Sequence, residues 1–147
     1  MAQLLNEQIQ GQIRELFGQL KEPVQVLFFG TKEQCEYCGE TLQLMEEVTA
    51  LSDKLSLSVH DIQADAQVAL QYHVDKTPAL VLAGKDGSQL TDFGIRFAGI
   101  PSGHEFSSFI NDLVIVSNRD SGLSQQTRTF LKGLTKPVKL QVFVTPT

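Results

Sequence analysis

Two cysteines that lie three positions apart are the residues of this chain best suited to chemistry. They occur as Cys35-Glu36-Tyr37-Cys38, and the chain has no other cysteine. On a helix this spacing separates the sulfurs by about one turn, which is close enough for a disulfide bond. At the start of a helix, free N–H groups and the helix dipole favour the thiolate of the first cysteine, which is the nucleophile in thiol–disulfide exchange. We therefore predict Cys35 as the nucleophile and Cys38 as the partly buried resolving cysteine, with Glu36 and Tyr37 in contact with the substrate.

The same motif also occurs in metal sites, where about two further ligands would be needed. The other candidates are His60, His73 and His104, which follow no ligand spacing. The motif comes after an apolar strand and opens a long helix, and this context favours redox chemistry. We predict no metal site and no organic cofactor, because the disulfide of Cys35 and Cys38 is itself the redox group. Two alternatives stay open: a metal- or cluster-binding module built on these cysteines, and a non-catalytic docking module.

Apolar residues recur with helical or strand periodicity along most of the chain. The pattern predicts helices over residues 3–20, 35–54 and 64–72, strands over 24–29, 55–59, 79–83 and 93–100, and a last helix capped by Ser102. A strand, a helix and a strand in succession imply a parallel pair, whereas Asp86-Gly87 predicts a turn between antiparallel strands. We therefore predict an α/β fold, with a mixed four-stranded sheet and helices on both faces.

Thr77-Pro78 is the second motif that bears on function. A proline at the start of an interior strand removes a hydrogen-bond donor from the sheet, and a cis peptide bond at a tight turn would accommodate it. A Thr-Pro pair forty residues after the CxxC motif resembles the cis-proline loop of thioredoxins and glutaredoxins. The resemblance implies a thioredoxin-like fold in which this loop packs beside the disulfide. It also implies that Thr77 pairs with the substrate backbone and that Pro78 is the cis-proline.

The segment from Phe97 to Phe106 is similar to the corresponding part of the two-unit, glutaredoxin-like protein disulfide oxidoreductases. This resemblance covers essentially the whole chain and implies the amino-terminal unit of such an enzyme. The implied substrates are protein disulfides, with a peroxiredoxin as one partner and a flavin-dependent thioredoxin reductase as electron donor. Thioredoxin has a buried carboxylate where this chain has Leu27, and the residues that bind glutathione in glutaredoxins have no clear counterpart after Pro78.

An internal repeat supports a second unit independently of the family resemblance. The segment from Pro23 to Thr31 aligns with the segment from Pro137 to Thr145, and a helical pattern precedes each copy. We predict a thioredoxin-fold unit over residues 1–117, and a linker, a helix and the first strand of an incomplete second unit over 118–147. The apolar strand 138–144 then needs a partner, either its own sheet or a second copy of the chain in a homodimer, and we favour the homodimer.

Composition excludes several other classes of protein. The net charge of −5 argues against binding to a nucleic-acid backbone, which requires clustered Lys and Arg. No apolar run approaches the roughly 18 residues of a membrane span, and the amino-terminal segment has no continuous apolar stretch typical of a signal peptide. We therefore expect a cytoplasmic protein with no membrane partner.

Overall fold

Helices and strands alternate along the chain in the order that the periodicity predicts. The computed structural model describes residues 2–145, so Met1, Pro146 and Thr147 lie outside it. Its elements are α1 Glu7–Phe17, β1 Val24–Gly30, α2 Cys38–Thr49, β2 Leu55–Asp61, α3 Ala66–Gln71, β3 Ala79–Asp86, β4 Gln89–Ala98, α4 His104–Asn118 and α5 Gln125–Lys132. Within residues 2–145, no helix is long and apolar enough to cross a bilayer.

The four strands form one mixed sheet in the order β2-β1-β3-β4. β1 pairs in parallel with β2 and antiparallel with β3, and β3 and β4 form an antiparallel hairpin. β1 is an interior strand, and all seven of its residues are buried, which explains its nearly continuous apolar sequence. The predicted mixed sheet is therefore confirmed.

Alternate residues of β1 support two separate cores, because successive side chains of a strand point to opposite faces. Val24, Val26 and Phe28 pack in a large cluster with residues of α1, α2 and α4. Leu27 and Phe29 pack on the other face in a smaller cluster with residues of α3. Burying one such large apolar side chain stabilises the fold by roughly 1.5–3 kcal/mol. The predicted placement of helices on both faces is also confirmed.

Three predicted helix starts need correction. α1 begins at Glu7 and not at residue 3, because the Asn6 side chain caps the helix by accepting a hydrogen bond from the Ile9 N–H. α2 begins at Cys38 and not at residue 35, because residues up to Tyr37 form the preceding turn. α4 begins at His104, and Gly103 occupies the N-cap position with a φ of 60°. Ser102 therefore lies one residue before the cap and contributes no capping hydrogen bond. The glycine sets this helix start because its φ lies in the left-handed region.

The carboxyl-terminal segment agrees with the sequence prediction only in its helix. α5 forms where a helix was predicted, and the Ser124 hydroxyl accepts a hydrogen bond from the Thr127 N–H at 3.2 Å. The strand predicted over 138–144 is wrong for the described chain, in which residues 134–145 have no regular structure. The described sheet contains only β1 to β4 and does not include residues 138–144, and Leu140 and Phe143 are 87% and 90% exposed. Pairing with its own sheet is thereby excluded in this structure, while the division into two units stays a prediction.

Candidate active site

The CxxC motif lies at the carboxyl end of the central strand. β1 ends at Gly30, a loop follows, and Cys38 is the first residue of α2. Cys35 and Cys38 form a disulfide bond with a Cα–Cα separation of 5.5 Å, which is the usual spacing for such a bond. The strand, the loop and the helix thus bring both sulfurs to the end of the sheet where β1 terminates, with Cys38 and not Cys35 at the first position of the helix.

The two cysteines differ in burial. Cys38 is 8% exposed and belongs to the larger core cluster. Cys35 is only partly buried and packs against the edge of the same cluster. A second macromolecule can therefore reach the sulfur of Cys35 more readily than that of Cys38.

The start of α2 supplies electrostatic stabilisation next to Cys35. Tyr37 is the N-cap residue, and no side chain caps the helix. The first hydrogen bonds of the helix run to the Tyr37 carbonyl from the Thr41 N–H at 2.9 Å and the Thr41 hydroxyl at 2.7 Å. The N–H groups of the first turn and the positive end of the helix dipole are thus available to a thiolate at this position.

Thr77 and Pro78 lie at the same edge of the sheet. β1 and β3 are antiparallel, and Phe29 pairs with Ala79, so the end of β1 is next to the start of β3. The Thr77–Pro78 peptide bond is cis, as predicted. The Pro78 carbonyl accepts a hydrogen bond from the Gly99 N–H at 2.8 Å, which ties this loop to the end of β4.

The side chains between the cysteines face solvent. Glu36 is exposed, and Tyr37 is 47% exposed. Neither side chain makes an ion pair within residues 2–145. Both are therefore accessible to a partner that approaches Cys35, and their contact with substrate stays a prediction.

Two features of the site were not predicted from the sequence. A β-carbon placed on Gly30 would lie 3.5 Å from the Cys38 Sγ and 2.7 Å from the Phe28 ring, so a side chain is disfavoured here.

Asp61, at the end of β2, lies close to Lys32 in the active-site loop. Hydrogen bonds from the N–H groups of Ala64 and Gln63, and then the charge of Lys32, lower the pKa of this carboxyl. A glycine at a strand end before a CxxC loop was the available signal for the first feature, and nothing in the sequence indicated the second.

The histidines do not join the cysteines. His60 stacks on Phe29 with ring centroids 5.1 Å apart, and its Nε2 lies 3.0 Å from the Ser58 hydroxyl. His73 follows α3, and His104 starts α4. Among residues 2–145 no group of three or more His, Cys, Asp or Glu side chains is placed to hold a metal ion.

Comparison with known proteins agrees with this arrangement. Residues 23–91 match the sequence model of the thioredoxin domain family. A protein disulfide oxidoreductase from Aeropyrum pernix superposes with a TM-score of 0.76 at 27% identity, over 88% of this chain and 55% of that one. The NTD_N/C domain of the alkylhydroperoxide reductase AhpF from Enterococcus faecalis superposes with a TM-score of 0.79 at 26% identity, over 90% of this chain and 62% of that one.

A relative found by sequence belongs to the same kind of reductase as the second structure. The F subunit of the alkyl hydroperoxide reductase of Pseudomonas aeruginosa is 25% identical over 131 residues, which is 89% of this chain and 22% of that protein. The chain thus spans about a fifth of the length of this relative. Fold and site together define a thioredoxin-like domain with a CxxC disulfide. The chain belongs to the thioredoxin-like superfamily.

Proposed function

We propose that the chain is a thiol–disulfide oxidoreductase that acts on disulfide bonds of proteins. The observation that carries this proposal is the unequal burial of the two linked sulfurs. Cys35 is partly exposed in the loop just before α2, and Cys38 is buried at the first position of that helix. This arrangement suits one cysteine for attack on a partner and the other for release of that partner.

The reaction proceeds by two exchanges at sulfur. In the reduced protein, the Cys35 thiolate attacks one sulfur of the partner disulfide, a mixed disulfide forms, and the other partner sulfur leaves as a thiolate. The Cys38 thiolate then attacks the Cys35 Sγ, which restores the Cys35–Cys38 bond and releases the second partner thiolate. Two electrons pass to the partner, whose thiolates take up protons from solvent. No organic cofactor is needed, because the electron pair resides on the protein sulfurs.

The other groups at this edge have positioning roles in the proposal. Thr77 presents its backbone to an extended partner segment, and Pro78 shapes the loop beside the disulfide. Glu36 and Tyr37 contact the partner surface around the attacked sulfur. Leu27 is buried and apolar where thioredoxin has a carboxylate, so protons at Cys38 are exchanged through water or through Glu40 in the first turn of α2.

The relatives support a particular physiological setting. Two of them are named as parts of alkyl hydroperoxide reductases, and one is named a protein disulfide oxidoreductase. We propose that a peroxiredoxin is a partner and that a flavin-dependent thioredoxin reductase or an equivalent reductase domain supplies electrons. A dithiol that cycles in this way suits the cytoplasm, where thiols are kept reduced.

The exposed carboxyl-terminal segment favours association with a second copy of the chain. Within residues 138–144, all five apolar side chains are at least 55% exposed: Val138, Leu140, Val142, Phe143 and Val144. An apolar β-type segment without a neighbouring strand favours strand addition to another chain. We propose that it mediates a homodimer.

Insulin reduction with dithiothreitol as electron donor tests the catalytic proposal. We expect activity in the native chain, and a large loss in Cys35→Ser and Cys38→Ser. In cell extract, Cys38→Ser should accumulate mixed disulfides through Cys35. A native chain without activity would favour the docking module, and stoichiometric metal in protein purified under reducing conditions would favour the metal-binding module.

A further inference from the structure

We propose that a groove on the sheet face opposite α2 binds a small organic carboxylate. The residue that indicates a binding site is Gln25, the only polar residue of β1. This side chain is 7% exposed in the middle of the sheet, where an amide is costly unless its hydrogen bonds are made. The Gln25 Oε1 accepts a hydrogen bond from the Ser56 hydroxyl at 2.6 Å. Its Nε2 donates to no group within residues 2–145, so both N–H groups of this amide are left for solvent or a ligand.

Lys85 on β3 completes a row of polar groups across three strands. Its Nζ lies 3.4 Å from the Ser56 Oγ. An ammonium group can only donate, so Ser56 accepts from Lys85 and donates its own proton to Gln25. This relay fixes the Gln25 amide with its NH₂ group free. Lys85 is partly buried and forms no ion pair in the described chain, since the neighbouring Asp86 pairs with Arg119 at 3.6 Å.

The groove is shallow and open to solvent, and it has room for a small molecule. Its volume is about 600 Å³, within the range of roughly 300–1,000 Å³ for small-molecule pockets. α3 has only six residues and covers part of this face, so the groove opens between α3 and the β3–β4 turn. Leu27, Val68 and Leu90 line it with apolar surface beside the polar row. His60 and Ser58, which also line the groove, hydrogen-bond each other, and Asp65 lies 3.9 Å from the His60 Nδ1.

These groups select the chemistry of the ligand. A carboxylate can accept a charge-assisted hydrogen bond from Lys85 and a second bond from the free Gln25 NH₂ group. A short alkyl chain can then lie against Leu27 and Leu90. A neutral amide would lack the attraction to Lys85, and an amine would be repelled by it. Gln25 is the second residue of β1 and Gly30 is the last, so Gln25 lies roughly 16 Å along the strand from the end that precedes the disulfide loop. Cys38 packs on the other face of the sheet, which makes the groove a separate site.

Hexanoate titration of the full chain, followed by ¹H–¹⁵N NMR, tests the proposal. We expect the Gln25 side-chain NH₂ signals and the Lys85 amide signal to shift together and to saturate. Hexanamide should bind about tenfold more weakly, as expected when a charge-assisted bond is lost. Acetate, which carries the charge without the alkyl chain, should also bind more weakly. Equal affinity for hexanoate and hexanamide, or unmoved Gln25 signals, would overturn the proposal.

Two variants that keep side-chain volume sharpen the test. Lys85→Met and Gln25→Leu should each weaken hexanoate binding about tenfold or more. Lys132→Met, which removes a cation from α5 outside the groove, should leave binding unchanged. Insulin reduction should be unaffected in all three variants, which separates this site from the proposed redox function. Native affinity in both groove variants would contradict the assignment.

Discussion

The Phe28 ring packs so closely on Gly30 that it leaves no room for a side chain there, next to the Cys38 sulfur. A β-carbon on this glycine would stand 3.5 Å from the Cys38 Sγ, and 2.7 and 2.8 Å from two atoms of the Phe28 ring. The distance to the sulfur is an ordinary van der Waals contact, whereas the two distances to the ring are shorter than non-bonded carbon atoms approach each other. The ring would have to move, and it packs in the same core cluster as Cys38.

We expect Gly30→Ala to destabilise the oxidised protein by about 1–3 kcal/mol, the usual cost of overfilling a packed core. Denaturant unfolding measures this change. Gly11→Ala is the matched control, because Gly11 lies within α1 and nothing surrounds its missing β-carbon. That variant should be stabilised by roughly 0.5–1 kcal/mol, since alanine is the better helix former. A neutral Gly30→Ala would show that the Phe28 ring yields without cost.

Cys35 should react first with an alkylating reagent when the protein is reduced. It is the more exposed cysteine and lies in the loop just before α2, where the positive end of the helix dipole favours the thiolate. Mass spectrometry after limited iodoacetamide treatment near neutral pH locates the label. Preferential labelling of Cys38 would reverse the assigned roles.

The reduction potential should lie below the roughly −120 mV of a strongly oxidising protein such as DsbA. Glu33 and Glu36 are exposed carboxylates on either side of Cys35, and their charges disfavour its thiolate. Equilibration with glutathione buffers gives the potential. Glu36→Gln should raise it, whereas Glu15→Gln on α1 should not. A potential at or above that of DsbA would refute this account of the site.

Acid should weaken the attachment of the amino-terminal segment to α2. Burial tends to raise the pKa of Glu47, but hydrogen bonds from the Leu4 N–H, the Gln43 side chain and the Leu5 N–H outweigh it and lower this pKa. The charged form is thus favoured in the fold. Its stabilising effect is complete above the ordinary glutamate value of 4.5 and is lost as the pH falls through the lower, folded value.

Unfolding followed between about pH 5 and 3 checks this expectation. The native chain should lose stability more steeply with acid than Glu47→Gln, which cannot ionise. Glu46→Gln is the control, because the Glu46 side chain accepts no hydrogen bond within residues 2–145. Equal slopes for the native chain and Glu47→Gln would show that these hydrogen bonds do not depend on charge.

The full chain should self-associate through residues 138–144, whereas a chain ending at Ser117 should stay monomeric. Light scattering over a range of concentrations distinguishes the two. Val142→Asp should abolish association, because a charge at an exposed strand position opposes edge pairing. A monomeric full chain at high concentration would end the dimer proposal.

The sequence alone determined the elements and the position of the redox pair. Periods of 2 and 3.6 residues are local properties, so the strands and helices could be predicted to within a few residues. The CxxC spacing is also local, and it placed Cys35 and Cys38 at the junction of a loop and a helix. Thr77-Pro78 was recognised because a proline in that position conflicts with an interior strand.

Tertiary structure decided what surrounds those residues. The approach of Gly30 to Cys38 joins a strand and a helix, and the row from Gln25 through Ser56 to Lys85 joins three strands. Such contacts depend on strand order and register, which periodicity does not specify. Residues 138–144 have a strand-like sequence pattern but form no strand in this structure. A β-type pattern forms a strand only when another strand supplies hydrogen bonds to its backbone.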